Sequence, residues 1–130
     1  MAVTHSATAA KAMTDASVDL IDTGTGTATG VIVFMTSGDV EVATCAFSNP
    51  AYGAGTSAAP SVATASAITS DTNATGGTVA KFQHQNRDAA AIHYGSVTAT
   101  GGGGDYEISS VVVAAGETVA VTSSTYTGPA

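Results

Sequence analysis

Basic residues are nearly missing from this 130-residue chain. Lys11, Lys81 and Arg87 stand against ten acidic residues, which gives a formal net charge of −7. A protein that binds nucleic acid neutralises phosphates with clustered Lys and Arg side chains, and the sequence has no such cluster. The same shortage argues against attachment to an anionic membrane. We therefore expect no nucleic acid and no membrane among the partners.

Aromatic residues are also scarce, at 5% of the chain, and Trp is absent. The apolar share of 44% is therefore supplied mainly by Ala and Val. Each buried Ala or Val contributes less than a Leu or Phe, so we expect a thin core and modest stability for an isolated copy. Charged residues reach only 10%, and Thr, Ser, Gly and Ala must cover much of the surface. This composition is typical of extracellular or virion proteins.

Cys45 is the only cysteine, which excludes an intramolecular disulfide. Its apolar surroundings predict a buried thiol and not a reactive nucleophile. The sequence shows neither the pattern of a signal peptide nor an apolar run long enough to span a membrane. We therefore expect synthesis in the cytoplasm. The length predicts one domain over 1–130, with an N-terminal arm and helix in 1–24 and a β-sandwich in 25–130.

Residues 6–22 carry a helical pattern, and Gly24 follows as a stop signal. Four apolar side chains with helical spacing predict the buried face: Ala9, Met13, Ala16 and Leu20. Three carboxylates lie on another face: Asp15, Asp19 and Asp22. A solvated face explains them better than a metal site, because no further ligand lies nearby in sequence. The residues before the helix, Met1–His5, are predicted to form an extended arm.

Strand patterns fill the rest of the chain, with turn signals every ten or so residues. The predicted strands are 31–35, 40–47, 62–68, 78–85, 90–97, 106–113 and 118–124. Turns join the first two, the fourth to the fifth, and the last two as a final pair. We predict a mainly β fold: an antiparallel β-sandwich or barrel of about seven strands with one N-terminal helix.

The sequence offers few side chains that could take part in catalysis. His84 and His93 flank a predicted hairpin and are expected to face each other across it, the one geometry that suggests a metal. Zinc would need further ligands, and since Cys45 is remote and Asp88 lies at the turn, a polar pair on a solvent-facing sheet is the preferred interpretation. No catalytic, cofactor-binding or metal-binding residues are therefore assigned, and no cofactor is expected.

The glycine-rich segments 23–30 and 101–104 are interpreted as spacers. The first lacks the Lys of a P-loop and runs from helix to strand, the reverse of the required order. The glutamates are scattered and not paired as in a glycosidase: Glu41, Glu107 and Glu117. We therefore expect the protein not to be an enzyme.

Several segments resemble a group of small phage and prophage proteins. Residues 42–53, VATCAFSNPAYG, resemble their segment LATLTFSDPAFG, and residues 114–123, AAGETVAVTS, resemble their closing AAGDTVTVTS. Weaker likenesses occur at 16–24, 73–78 and 94–97, so the resemblance follows nearly the whole chain in order. The chain departs from the group at Val79 and Phe82, where an aromatic pair is reduced, and in a shortened first hairpin loop.

The resemblance implies a virion structural protein without catalytic residues. The first hypothesis is a capsid decoration (cement) protein that bridges and stabilises capsomers of the major capsid protein. The alternatives are a tail, head-tail connector or fibre component and, less favoured because exposed aromatics are few, a carbohydrate-binding module. Since decoration proteins often sit at local three-fold positions, a homo-oligomer is expected, with a trimer as the first guess.

Overall fold

The computed structural model describes residues 3–129, and its first element is a helix. Helix α1 spans Ala7–Asp19 and continues into a 3₁₀ turn at Leu20–Asp22. Ser6 caps the helix, because its Oγ accepts a hydrogen bond from the backbone N–H of Ala9 at 3.2 Å. The predicted N-terminal helix is confirmed.

The buried face of α1 differs from the predicted one. Leu20 of the predicted stripe is 49% exposed. The residues that are buried instead lie one or two positions further on: Ala10, Thr14, Val18 and Ile21. The apolar pattern does not reveal this face, because Thr14 is a polar residue type. Its methyl group packs inward, and its hydroxyl donates to the carbonyl oxygen of Ser61 at 3.5 Å. Packing against the sheets, and not apolar spacing alone, selects the face.

The predicted arm Met1–His5 falls partly outside the described residues, which exclude Met1 and Ala2. Val3 and Thr4 are exposed. The role of this segment as an arm stays a prediction.

Nine β-strands follow the helix within residues 3–129. They are β1 Val31–Met35, β2 Glu41–Ala46, β3 Val62–Thr64, β4 Gly77–Thr78, β5 Lys81–Gln85, β6 Ala91–Ala99, β7 Tyr106–Ile108, β8 Val112–Val113 and β9 Thr125–Thr127. Five strands form one sheet in the order β2-β1-β5-β6-β7, while β3 pairs with β9 and β4 with β8. The sheets are curled and mostly antiparallel, so the mainly β, sandwich-like or barrel-like fold with one N-terminal helix is confirmed.

Local turn chemistry explains the two hairpins that the sequence predicts. Asn86 closes the β5–β6 turn, because its Oδ1 accepts hydrogen bonds from the backbone N–H groups of Asp88 and Ala90, both at 3.0 Å. At the β1–β2 turn, Asp39 forms an ion pair with Lys81 of the neighbouring strand. Both hairpins are confirmed.

The second half of the chain pairs differently from the prediction. The predicted strand 62–68 is regular only over β3, and the predicted last hairpin does not form: β8 pairs with β4, and β9 pairs with β3. β7 lies parallel to β6, which the glycine loop between them permits. Gly101 and Gly103 take φ angles of 88° and 81°, in the left-handed region that favours glycine.

The core lies inside the curled five-stranded sheet and under α1. One row of cross-strand partners runs through it, joining Cys45, Ile32, His84 and His93 on four adjacent strands. Ile32 and Cys45 are fully buried. Because partners in register point to the same face, this row directs both histidines toward the core.

Candidate functional site

The predicted juxtaposition of His84 and His93 is confirmed. The two residues are direct partners in the β5–β6 ladder, and their Nδ1 atoms lie 3.0 Å apart. The expectation that the pair faces solvent is wrong, since His84 is only 4% exposed and His93 is half-buried. The reason is the register, because His84 is the cross-strand partner of the fully buried Ile32 and partners in register point to the same face.

Hydrogen bonds link the histidine pair to two further elements. His93 Nε2 lies 2.7 Å from Ser17 Oγ on α1. His84 Nε2 lies 2.8 Å from the hydroxyl oxygen of Tyr106 on β7. The pair therefore ties the helix to the far strand of the five-stranded sheet.

The chain of hydrogen bonds continues beyond Tyr106. Its hydroxyl lies 2.6 Å from Ser124 Oγ, which in turn lies 2.7 Å from the hydroxyl of Tyr52. We call the whole set the histidine–tyrosine network: Ser17, His93, His84, Tyr106, Ser124 and Tyr52. Ser124 and Tyr52 are buried, and among the described residues no buried side-chain nitrogen or oxygen lacks a partner. The network thus satisfies polar groups that would otherwise be costly to bury.

The protonation states of the two imidazoles depend on each other. A neutral imidazole carries one N–H, and a hydrogen bond between the facing Nδ1 atoms needs one donor and one acceptor. One Nδ1 is therefore protonated and the other is not. If His93 donates through Nδ1, its Nε2 accepts from Ser17 and His84 donates through Nε2 to Tyr106. If His84 donates through Nδ1, both outer hydrogen bonds reverse. Two protonated imidazoles would instead place two N–H groups against each other and break the central bond.

The surroundings hold this network neutral. Burial lowers the pKa of His84 to about 3, with the charge of the neighbouring His93 as a second cause, and burial also lowers the pKa of His93. Burial raises the pKa of both Tyr52 and Tyr106. The ring of Phe82 lies 4.9 Å from the His84 ring and contributes to this apolar environment.

The residues around His84 and His93 include few further side chains that could bind a metal. Cys45 lies in the same cross-strand row but two strands away from His84, with Ile32 between them. Its thiol is buried, as predicted, and donates a hydrogen bond to the carbonyl oxygen of Val119 at 3.4 Å. Within residues 3–129 there is no group of three His, Cys, Asp or Glu side chains placed to hold a metal ion. All four ring nitrogens of the pair take part in hydrogen bonds.

Beside the network opens a cleft of about 810 Å³. It is lined by residues of β5, β6 and β7 and by the segment 120–127. Tyr94 at its edge is 71% exposed, whereas the ring of Tyr126 stacks on His93 with centroids 4.7 Å apart. Asp105 and Glu107 are the charged residues of the lining. The cleft is therefore a polar, acidic depression over a buried neutral network.

Two of the three helix carboxylates are not part of a solvated face, which corrects the prediction. Asp15 forms an ion pair with Lys11 and accepts from the backbone N–H of Gly55 at 2.6 Å. Asp22 accepts from the backbone N–H of Ala51 at 2.9 Å, and burial raises its pKa. Only Asp19 is exposed. The helix thus holds the loop after β2 in place.

The other carboxylates also serve local structure. Asp88 Oδ1 accepts from the N–H groups of Thr25 and Gly26, at 3.0 and 2.8 Å, and these bonds lower its pKa. The segment interpreted as a spacer is therefore fastened to the β5–β6 turn. Glu107 accepts from backbone N–H groups of the loop 101–104 at 3.0 and 3.2 Å.

Sequence reasoning missed four members of the network: Ser17, Tyr52, Tyr106 and Ser124. They lie 18 to 107 positions apart, and no motif connects them. The available signal was chemical, because a Tyr or Ser in an apolar segment needs a hydrogen-bond partner when it is buried. Only the tertiary structure identifies that partner.

Comparisons with family models, with curated proteins and with solved structures find no match. Across the described part of the chain, no helix has the length and apolar character of a membrane span.

Proposed function

We propose that this chain is a structural protein of a bacteriophage virion, and that it decorates the outside of the capsid. In this role it bridges neighbouring capsomers of the major capsid protein and stabilises the shell. It would be made in the host bacterial cytoplasm and function in the virion.

The observation that carries the proposal is the position of the phage-like segments in the fold. Residues 42–53 cover most of β2 and the start of the loop after it, and they place Phe47 and Tyr52 in the core, while residues 114–123 contain the buried Val119. The resemblance therefore covers framework residues from both halves of the chain. It supports a shared fold and role more than a shared chemical site.

The surface supports the same role. Among the described residues no strand pairs with the outer edge of β7, and such an edge is available to a neighbouring molecule. The outer edge of β2 is instead bonded to residues 69–76. Several apolar side chains are exposed at separate places: Val40, Tyr94 and Val112. A protein that binds in many copies can use such small contacts, because their contributions add over the shell.

A location in the tail, the head-tail connector or a fibre is the alternative that the sequence leaves open. Copy number separates it from the capsid location. Quantitative mass spectrometry of purified particles is expected to give hundreds of copies per particle for a decoration protein. A handful of copies would instead assign the protein to the tail or connector.

A carbohydrate-binding module is favoured by one observation, the exposed Tyr94 beside an acidic cleft. Exposed aromatic rings and carboxylates are common partners of sugars. The other two tyrosine rings of the lining are half-buried: one face of Tyr126 is covered by His93, and Tyr106 packs edge-on against Phe34 and Phe82. This leaves one free stacking surface, and the capsid role remains the better supported proposal.

The direct test is reconstitution. Particles made without this chain should take up the purified protein at a fixed ratio to the major capsid protein and then resist heating to a higher temperature. A Phe34→Asp variant, which places a carboxylate at a fully buried ring position, is the control that should not fold or bind. If particles made without this chain do not bind the folded protein, the capsid assignment is overturned. It is also overturned if native particles contain only a few copies.

A further inference from the structure

One edge of β6 is unpaired where it borders the cleft. The backbone N–H of Val97 donates to the carbonyl oxygen of Ala80 at 3.1 Å, so odd-numbered residues of this stretch bond toward β5. Alternation along the strand then directs the N–H and C=O of Tyr94 to the opposite edge. β7 pairs only with residues 97–99. Among residues 3–129, no backbone partner takes up this edge at Tyr94.

A second edge in the same cleft is unpaired as well. The N–H of Ala65 donates to the carbonyl oxygen of Ser124 at 2.8 Å, and Ala63 is the partner of Tyr126 in the β3–β9 ladder. Even-numbered residues of β9 therefore bond toward β3. The N–H and C=O of Thr125, which also lines the cleft, point the other way.

We propose that the cleft receives an extended peptide segment of a partner protein, which adds as a strand to the edge of β6 at Tyr94. Unpaired strand edges bind extended chains through main-chain hydrogen bonds, and side chains beside the groove set the preference. The 71% exposed ring of Tyr94 supplies an apolar contact at the edge of the cleft.

Charge determines the chemistry of the segment. Asp105 and Glu107 are the charged side chains of the lining, which contains no Lys or Arg. The chain as a whole carries a net charge of −7. A strand with Lys or Arg is therefore the complementary occupant, and an acidic strand is disfavoured.

A saccharide fits the cleft less well than a peptide. Asp105 already accepts hydrogen bonds from the N–H and hydroxyl of Ser96, at 2.9 and 3.2 Å, and Glu107 is bonded to the glycine loop. These carboxylates have fewer free lone pairs for sugar hydroxyls. The unsatisfied groups are those of the backbone, which an extended peptide matches.

The inference rests on the proposed function for the source of the peptide, which would be the major capsid protein. The binding site itself is tested without particles, using a synthetic peptide of sequence Thr-Val-Lys-Val-Lys-Val-Thr and the isotope-labelled full chain. Backbone resonances at 92–95 and 123–127 should shift on titration. Replacing both Lys by Glu should weaken binding at least tenfold, and N-methylation of alternate peptide nitrogens should abolish it.

Variants of the protein test the strand edge. Tyr94→Pro removes the edge N–H without removing a hydrogen bond to β5, and it should weaken peptide binding at least tenfold. Tyr94→Phe retains the backbone and should bind within twofold of the parent. If Tyr94→Pro fails to fold, the N-methylated peptide decides the question, because it blocks the same hydrogen bonds from the other side.

The outcomes separate this inference from the proposed function. Equal binding of methylated and unmethylated peptides, no binding of either, or shifts produced only by chitotriose would overturn the strand-addition site. If particles bind the Tyr94→Pro variant as tightly as they bind the parent chain, the strand-addition site is overturned and the capsid role is left intact. Peptide binding by a chain that does not bind particles would overturn the capsid role and leave the site.

Discussion

Tyr106 is the residue on which the histidine–tyrosine network depends most. Its hydroxyl joins His84 to Ser124, while its ring packs edge-on against Phe34 and Phe82 with centroids 5.8 and 4.6 Å apart. Tyr106→Phe keeps the ring contacts and leaves two polar groups short of a partner. We expect a loss of about 1 to 3 kcal/mol in the free energy of unfolding.

The exposed Tyr94 provides the matched control for this substitution. Tyr94→Phe should change the free energy of unfolding by no more than about 0.5 kcal/mol, because its hydroxyl is not part of the network. Urea denaturation of both variants at pH 7 measures the difference. Equal stability of the two variants would show that the network contributes nothing to the fold.

Helix α1 and the 3₁₀ turn that continues it hold the loop after β2, and Asp22 of the turn makes one of the contacts. Asp22→Ala leaves the N–H of Ala51 without its carboxylate acceptor, and we expect a loss of about 1 kcal/mol. The exposed Asp19, one turn earlier, is the control and should give a change near zero. Urea unfolding compares them, and faster proteolysis within 50–60 in the Asp22 variant should accompany the loss. Identical behaviour of the two variants would contradict the role of the carboxylate.

The β5–β6 hairpin should make the fold sensitive to acid. His84 has a pKa of about 3 in the folded protein, well below the ordinary value near 6.5 that applies after unfolding. Below pH 6.5 the unfolded chain therefore binds a proton that the folded chain does not, and stability falls until the pH reaches about 3. Between pH 7 and 4.5, we expect this group alone to remove about 2 to 3 kcal/mol.

The acid effect is measured as a difference between two pH values. Urea unfolding at pH 7 and pH 4.5 gives the loss for the parent chain, and His84→Gln should show a loss smaller by most of the expected amount. The pH of 4.5 lies above the range in which Asp15 and Asp88 titrate, since their pKa values are lowered from an already low value. A variant that loses as much stability as the parent would show that His84 is not the sensitive group.

At the scale of the whole molecule, the composition of the core bears on whether copies of the chain assemble. The core contains few large side chains, among which Phe34, Ile21 and Ile32 are the largest that are fully buried. An isolated copy therefore has little stability to spare, and neighbours that cover its small-residue surfaces would add to it. We expect a homo-oligomer, with a trimer as the first size to test by multi-angle light scattering at micromolar concentration.

Salt should separate the oligomer from its attachment to particles. The chain has a net charge of −7, so its contact with a shell protein would use exposed carboxylates such as Asp19. The contact between two like-charged copies must exclude these carboxylates. Release from particles is therefore expected at salt concentrations that leave the oligomer intact. A stable monomer that binds particles equally at low and high salt would contradict both expectations.

The sequence by itself determined the features that depend on neighbouring residues. The helix over 6–22, the hairpin turns at 36–39 and 86–88, and the buried thiol of Cys45 all follow from local pattern and composition, and each is confirmed. Facing of His84 and His93 was also predictable, because a tight turn fixes the register of the two strands that it joins.

Tertiary structure decided what depends on distant partners. Alternation in 106–113 indicates extended chain but does not specify which edge it joins, so the parallel β7 and the pairing of β8 with β4 could not be predicted. The same limit explains why Thr14 lies on the buried helix face and why the histidine pair points inward. The network from Ser17 to Tyr52 exists only because folding brings one helix, three strands and two loop segments together. Hydrogen-bond satisfaction in a buried site is a property of that assembly and of no single segment.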